Sequence, residues 1–131
     1  MNKKCFQSKK FAPSKLYSPA VTAGGLVYFS GMGPTDPATG QIVSQDFENQ
    51  MRQTINNLTL LLEEMGLSLS NVVKTNIYLS DIGNFSKANE IYSEYFSREL
   101  PARTTIQVAG LPNGIQIEIE LIAAKNNNDY E

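Results

Sequence analysis

The sequence predicts an α+β domain, with a mixed β-sheet and two helices packed on one face of it. Two stretches carry apolar residues at three- and four-residue spacing, which is typical of amphipathic helices. Several shorter stretches alternate apolar and polar residues, which is typical of strands. Strand runs interspersed with only two helices favour an α+β domain. The predicted element order is β-β-α-β-α-β-β.

The N-terminal part of the chain predicts a short hairpin followed by a loop. Residues 21–22 and 26–30 read as two strands joined by a turn at Gly24 and Gly25. Residues 31–40 contain Gly-Pro, Asp-Pro and Thr-Gly pairs and therefore predict an ordered loop. Loops of this kind often border functional sites.

Two helices with a strand between them are predicted next. Apolar residues recur at helical spacing from residue 46 to residue 65, with Ser44 or Asp46 as caps and Gly66 as the stop. Residues 72–79 alternate as a half-buried strand does. A second helix follows, and Pro101 marks the return to extended structure. Its predicted apolar face consists of Phe85, Ala88, Ile91, Tyr92, Tyr95 and Phe96.

The C-terminal part predicts a β-hairpin that carries one arginine and two carboxylates. Residues 104–111 and 115–124 are its arms, and the Asn-Gly pair between them is a strong hairpin signal. Arg103 then opens one arm and Glu118 lies in the other. Because side chains alternate across a strand, Glu118 and Glu120 share the face opposite Ile117, Ile119 and Leu121. This acidic face is either solvated or functional.

Composition narrows the possible chemistry. The 131 residues suit one domain, residues 1–131, with residues 1–10 and 125–131 predicted to be mobile ends. The chain has no histidine and one cysteine, Cys5, so the usual zinc sites, the Ser-His-Asp triad and the Cys-His dyad are excluded. We expect no metal and no cofactor.

Charge and hydropathy bear on partners and location. A net charge of −2 and a pI near 5.2 disfavour a broad nucleic-acid-binding surface. We find no apolar run of membrane-spanning length and no secretory signal, so the expected location is cytoplasmic. The predicted sheet has apolar residues on both sides, and burial of its second face against another copy of the chain is a reasonable hypothesis.

Several motifs resemble the Rid family, the reactive-intermediate (enamine/imine) deaminases of the YjgF type, some of which carry an endoribonuclease L-PSP label. The resemblance spans most of the chain, and its C-terminal motif is close to the family signature. Two positions depart from the family pattern: Lys15-Leu16 replaces a frequent Gly-Pro, and Thr105 stands where many members have cysteine. The matching motifs are Tyr17-Ser18-Pro19-Ala20-Val21, Tyr28-Phe29-Ser30-Gly31 with Pro34, Pro37-Ala38-Thr39-Gly40, Val73-Lys74-Thr75, Asn89 with Tyr92 and Phe96, and Pro101-Ala102-Arg103 through Glu118-Ile119-Glu120.

The resemblance implies a chorismate-mutase-like fold and a homotrimer with active sites between subunits. It also implies hydrolysis of 2-imino acids, such as 2-iminobutanoate and 2-iminopropanoate, to 2-oxo acids and ammonia. Arg103 would bind the substrate carboxylate and Glu118 would handle the attacking water. Tyr17, Ser30 and Asn89 match residues that line the same cleft. Gly31 can supply a backbone amide to a ligand, although turn geometry explains it equally well.

Simpler interpretations stand beside these. Arg103 can form a structural ion pair with Glu118 or Glu120, and Glu118 can be a solvated strand residue. Ser30 can serve the turn, and Asn89 can lie on a helix surface. Two other functions also remain open. One is a module that binds small carboxylates without turnover. The other is a ribonuclease, against which the acidic balance and the missing histidine stand.

Overall fold

Residues 2–126 are described by a computed structural model, and within them six strands form one sheet. The other regular elements of these residues are two α-helices and three short 3-10 helices. No helix among them is long and apolar enough to cross a membrane. The elements are β1 (Lys4–Cys5), β2 (Ala20–Ala23), β3 (Leu26–Phe29), α1 (Phe47–Glu64), β4 (Val72–Leu79), α2 (Phe85–Tyr95), β5 (Ala102–Gln107) and β6 (Ile117–Ala124).

The strand order is β1-β2-β3-β6-β4-β5, with both helices packed on one face. Only β4 and β5 pair in parallel among the described strands, and α2 is the crossover that connects them. The remaining neighbours are antiparallel. This arrangement confirms the predicted α+β class and the mixed sheet.

Helix α1 begins and ends where local chemistry predicts. The Asp46 carboxylate accepts a hydrogen bond from the backbone N–H of Asn49 at 3.0 Å, which caps the first turn. Gly66 follows the helix with a φ of 73°, a left-handed conformation that glycine adopts easily. The apolar stripe between these ends is buried against the sheet, with Met51, Ile55, Leu58, Leu61 and Leu62 each at most 1% exposed.

Strands β4 and β6 bury alternate residues. Ile117, Ile119 and Leu121 lie in the core, as the sequence predicts, and Ile77 pairs with Ile119 on the same face. The opposite face, which we call the open face, carries half-buried residues of both strands. Its members include Asn76, Tyr78, Glu118, Glu120 and Ile122.

The predicted hairpin between β5 and β6 is wrong, because β4 lies between these two strands. The α2 crossover places β5 beside β4 on one edge, and β6 pairs with the other edge of β4. Asn113 and Gly114 do adopt left-handed φ values of 60° and 70°, but they form a short 3-10 turn around the end of the sheet. Strand β5 also ends at Gln107, before the predicted residue 111.

The N-terminal segment contains a strand that the predicted order lacks. Lys4 and Cys5 pair with Thr22 and Val21 at the edge of the sheet. A two-residue strand offers no alternation to read from sequence. Of the predicted C-terminal mobile segment, residues 127–131 lie outside the described residues.

Candidate active site

A groove of about 890 Å³ lies beside the start of β6. Four of the predicted site residues line it: Tyr17, Ser30, Gly31 and Glu118. We call these four the groove residues. One wall of the groove is the predicted loop after β3, including residues 35–42.

Gly31 lies directly against the carboxylate of Glu118. A Cβ atom added to Gly31 would lie 2.8 Å from Glu118 Cδ and closer still to Oε2. Two backbone bonds between the next residues of each segment fix this approach, because Met32 N donates to Ile119 O at 2.8 Å and Ile119 N donates to Met32 O at 3.0 Å. The φ of Gly31 is not left-handed. Close contact with Glu118, rather than turn geometry, therefore explains the glycine.

The Glu118 carboxylate is half-buried and unpaired. Within residues 2–126 it accepts no hydrogen bond and makes no salt bridge. Burial raises its pKa, and the neighbouring Glu120 carboxylate raises it further. A carboxyl with a raised pKa and free oxygens is suited to exchange protons with a bound ligand or water.

Glu120 is tied into the open face in a way that Glu118 is not. It accepts a hydrogen bond from Tyr78 Oη and a second from Asn76 Nδ2 at 3.2 Å. The bond to Glu120 is the main cause that raises the pKa of Tyr78 to about 12. These two bonds fix the position of the Glu120 carboxylate beside Glu118.

The other two groove residues differ in how firmly they are held. The hydroxyl of Ser30 donates to the Ser18 carbonyl at 2.7 Å, and Ser30 N donates to the Pro19 carbonyl at 3.0 Å. The serine thus serves the turn while its oxygen lone pairs remain available as acceptors. Tyr17 is 61% exposed at the mouth of the groove.

Arg103 and Asn89 do not line this groove. Arg103 pairs in register with Thr75, a buried residue on the helix-covered face of β4. Glu118 pairs in register with Tyr78 on the open face. Arg103 and Glu118 therefore point to opposite sides of the sheet, which rules out the structural ion pair within one chain.

A second cluster of polar and aromatic residues surrounds Arg103, and we call it the arginine patch. The guanidinium carbon lies 4.9 Å from the ring centroid of Tyr92 and 5.8 Å from that of Phe85. Asn89 lies between these aromatic residues on the same stripe of α2. Asn89 Oδ1 and Thr105 Oγ1 are buried without a hydrogen-bond partner among the described residues.

Two buried amides of α1 hold backbone segments beside the groove, and the sequence pattern did not single them out. Asn57 Nδ2 donates to the carbonyls of Gly33 at 3.1 Å and Thr35 at 2.8 Å. Gln50 Nε2 donates to the Ser44 carbonyl at 2.8 Å, and its Oε1 accepts from Gln116 N at 2.8 Å. Both side chains are 0% exposed. Gln50 and Asn57 lie along one edge of the apolar stripe of α1, and this spacing is the sequence feature that could have identified them.

The described residues contain no group of three or more histidine, cysteine, aspartate or glutamate side chains placed to hold a metal ion. The groove and the arginine patch present carboxylate, hydroxyl, guanidinium and amide groups to a ligand.

Comparison with known proteins identifies the family. The sequence model of the family described as "Endoribonuclease L-PSP" matches residues 7–125. The chain belongs to this Rid (YjgF/L-PSP) family. The resemblance read from the motifs is thereby confirmed.

Relatives from an archaeon, a mammal and a bacterium align over most of the Rid domain. A RutC family protein of Pyrococcus abyssi is 43% identical over 92% of this chain and 94% of its own length. The human protein named 2-iminobutanoate/2-iminopropanoate deaminase is 43% identical over 82% of this chain and 78% of its own. The crystal structure of E. coli TdcF with bound serine superposes with a TM-score of 0.85 at 30% identity, covering 94% of this chain and 99% of that one.

Proposed function

We propose that this Rid protein hydrolyses 2-iminobutanoate and 2-iminopropanoate to the 2-oxo acids and ammonia. One observation carries the proposal: the chain presents a carboxylate and a guanidinium, Glu118 and Arg103, that both lack an ionic partner within residues 2–126. The human relative's name, at 43% identity, supports the same substrates. The serine bound to E. coli TdcF supports a ligand with an α-carboxylate.

Arg103 would hold the substrate. The planar fork of a guanidinium binds a carboxylate through two parallel hydrogen bonds, which fixes the position and orientation of the adjacent C=N group. Asn89 Oδ1, buried and unpaired near Arg103, is available to accept a hydrogen bond from the imine N–H. This arrangement orients the electrophilic carbon without a metal or cofactor.

Glu118 would transfer the protons. Its carboxylate takes a proton from water as the water oxygen bonds to the imine carbon, and passes it to the imine nitrogen, which gives a carbinolamine. The carboxylate then takes the hydroxyl proton of the carbinolamine and delivers it to the nitrogen as the C=O bond forms and the C–N bond breaks, which releases ammonia and leaves the 2-oxo acid. Such general acid–base catalysis contributes about 10²–10⁴-fold in rate.

The same proposal requires two subunits for each site. Because Arg103 and Glu118 face opposite sides of the sheet, they meet only if β5 of one subunit approaches the groove of its neighbour. We propose that the assembly is a closed homotrimer with three such sites. Unpaired polar atoms in the arginine patch and the half-buried open face support contact with another copy.

Hydrolysis of freshly generated 2-iminobutanoate tests the activity. We expect the wild-type protein to accelerate hydrolysis above the uncatalysed background, and Arg103→Ala to lose this acceleration. Arg98→Ala is the matched control, because Arg98 is exposed and makes no salt bridge within the described residues. Absence of acceleration by wild type would contradict the proposal and favour carboxylate binding without turnover.

A further inference from the structure

We infer that Phe85 and Tyr92 are positioning residues that hold the Arg103 guanidinium by its faces and leave its N–H edge free for the substrate carboxylate. This inference rests on the proposed function. It assigns a task to two residues that the sequence places on the apolar face of α2, of which Tyr92 also belongs to a motif shared with the family.

The contacts of Arg103 are the first observation. Its guanidinium carbon lies over the Tyr92 ring at 4.9 Å from the centroid and over the Phe85 ring at 5.8 Å. Both distances are within the range of about 6 Å in which a cation is attracted to an aromatic ring. No carboxylate of residues 2–126 forms a salt bridge with Arg103. The aromatic rings are therefore its main support among residues 2–126.

Because of the geometry of the guanidinium, support by aromatic rings leaves its N–H donors free. Its five N–H donors lie in the plane of the group, whereas contact with an aromatic ring uses the face. A supporting carboxylate would occupy the same donors that a substrate carboxylate needs. Aromatic support instead preserves both the positive charge and the fork of donors.

The Tyr92 ring is itself held rigidly. Its hydroxyl is 3.0 Å from Thr75 Oγ1, and its ring stacks on Phe96 with centroids 4.5 Å apart. Tyr92 is 8% exposed. Thr75 is also the residue of β4 that pairs with Arg103, so one local network fixes both the ring and the strand position of the arginine.

Of the two rings that contact Arg103, that of Phe85 is the more exposed. It begins α2 and is 38% exposed, although large apolar residues are usually buried. It lies seven residues before Tyr92, two helical turns away on the same stripe. Contact with Arg103 gives this exposed ring a role.

The test compares Phe85→Leu, which removes the ring but keeps an apolar side chain, with Phe85→Tyr, which keeps the ring. We expect Phe85→Leu to raise the KM for 2-iminobutanoate about three- to tenfold, with little change in kcat, because a ground-state carboxylate contact is weakened. Phe85→Tyr should restore the wild-type KM. Tyr92→Phe, which also keeps its ring, should bind substrate better than Tyr92→Leu.

Calorimetric binding of 2-oxobutanoate, the expected product, separates this inference from the activity. Wild type that binds 2-oxobutanoate more tightly than Phe85→Leu, but has no imine hydrolysis, would support the positioning role and contradict the deaminase proposal. Hydrolysis with equal KM values in wild type and Phe85→Leu would support the deaminase proposal and contradict the positioning role. No binding of 2-oxobutanoate and no hydrolysis by wild type would overturn both.

An NMR measurement reports on the support without any ligand. The Nε–H signal of Arg103, identified by its loss in Arg103→Ala, should be shifted by the ring currents of Phe85 and Tyr92. We expect Phe85→Leu to move this signal toward the position of a free arginine and Phe85→Tyr to leave it in place. An unmoved signal in Phe85→Leu would overturn the inference.

Discussion

Arg103 and Glu118 lie on opposite faces of one sheet, on strands that flank β4. A single chain therefore cannot bring the guanidinium and the carboxylate to one substrate molecule. If both groups act in one reaction, each site must combine Arg103 of one subunit with Glu118 of another.

Mixed oligomers test this division of the site. We expect Arg103→Ala and Glu118→Gln each to be inactive alone. Unfolding and refolding the two variants together should restore activity, because some neighbouring pairs then combine an intact arginine with an intact glutamate. Random mixing in a closed ring gives such a pair at about one quarter of the sites. Mixtures that stay as inactive as the separate variants would contradict a shared site.

Gly31 and Glu118 provide a second test, through their close contact. In Gly31→Ala the new methyl group would collide with the Glu118 carboxylate, whose Cδ would be only 2.8 Å away. We expect kcat/KM for 2-iminobutanoate to fall at least about tenfold while the fold is retained, because proton transfer depends on the carboxylate position. Gly110→Ala is the matched control, since a Cβ there has no atom within 4 Å. Equal activity of both variants would contradict a role for the contact.

The sequence predicted individual helices and strands better than it predicted which strands pair. The helical stripe of α1 and the alternation of β6 depend on periodicity within one segment, and both are found in the structure. The Asn113-Gly114 pair, which predicted a hairpin, does adopt left-handed backbone. It could not show that the α2 crossover would place β4 between β5 and β6, because strand pairing depends on distant parts of the chain.

Prediction of the candidate site had the same limit, because the sequence does not give the register between strands. Alternation correctly placed Glu118 and Glu120 on one face of β6, but it says nothing about which face Arg103 takes on another strand. That face follows from the pairing of Arg103 with Thr75. The aromatic support of Arg103 and the amide anchors of the loop also arise between elements, so no local pattern identifies their contacts.

The proximity of Glu120 to Glu118 predicts a change in pH dependence. Glu120 raises the pKa of Glu118, after the larger effect of burial. Glu120→Gln removes the like charge, so the Glu118 proton should leave at lower pH. If Glu118 acts as the base, the acidic limb of the kcat/KM profile should move to lower pH. Further titratable groups are Tyr78, which pairs with Glu118, and Tyr17 and Asp36, which line the same groove.

The control for this profile is Glu63→Gln, because Glu63 is exposed on α1 and lies outside the groove. It should leave the acidic limb where it is in wild type. An acidic limb that does not move in Glu120→Gln would show that burial alone sets the Glu118 pKa, or that another group produces the limb.

The raised pKa of Glu118 also makes the stability of the protein depend on pH. Its folded form binds a proton more tightly than its unfolded form, whose pKa is about 4.3. Stability therefore falls as pH rises from that value through the folded pKa. Glu118→Gln removes this penalty and should be more stable than wild type at neutral pH, with the difference shrinking in acid. Urea unfolding at several pH values measures it, and lower stability at neutral pH would indicate favourable contacts of Glu118.

Asn57 offers a test of the loop that walls the groove. Its side chain is fully buried and donates to the carbonyls of Gly33 and Thr35. Asn57→Leu leaves both carbonyls without this donor, so we expect the free energy of unfolding to fall by about 1–3 kcal/mol. Asn56→Leu is the matched control, because Asn56 is exposed one position earlier and should change stability by less than about 0.5 kcal/mol. Urea unfolding at one protein concentration measures both variants. Equal effects at the two positions would show that other contacts hold the loop, whereas a loss confined to Asn57→Leu would establish its amide as the anchor of the groove wall.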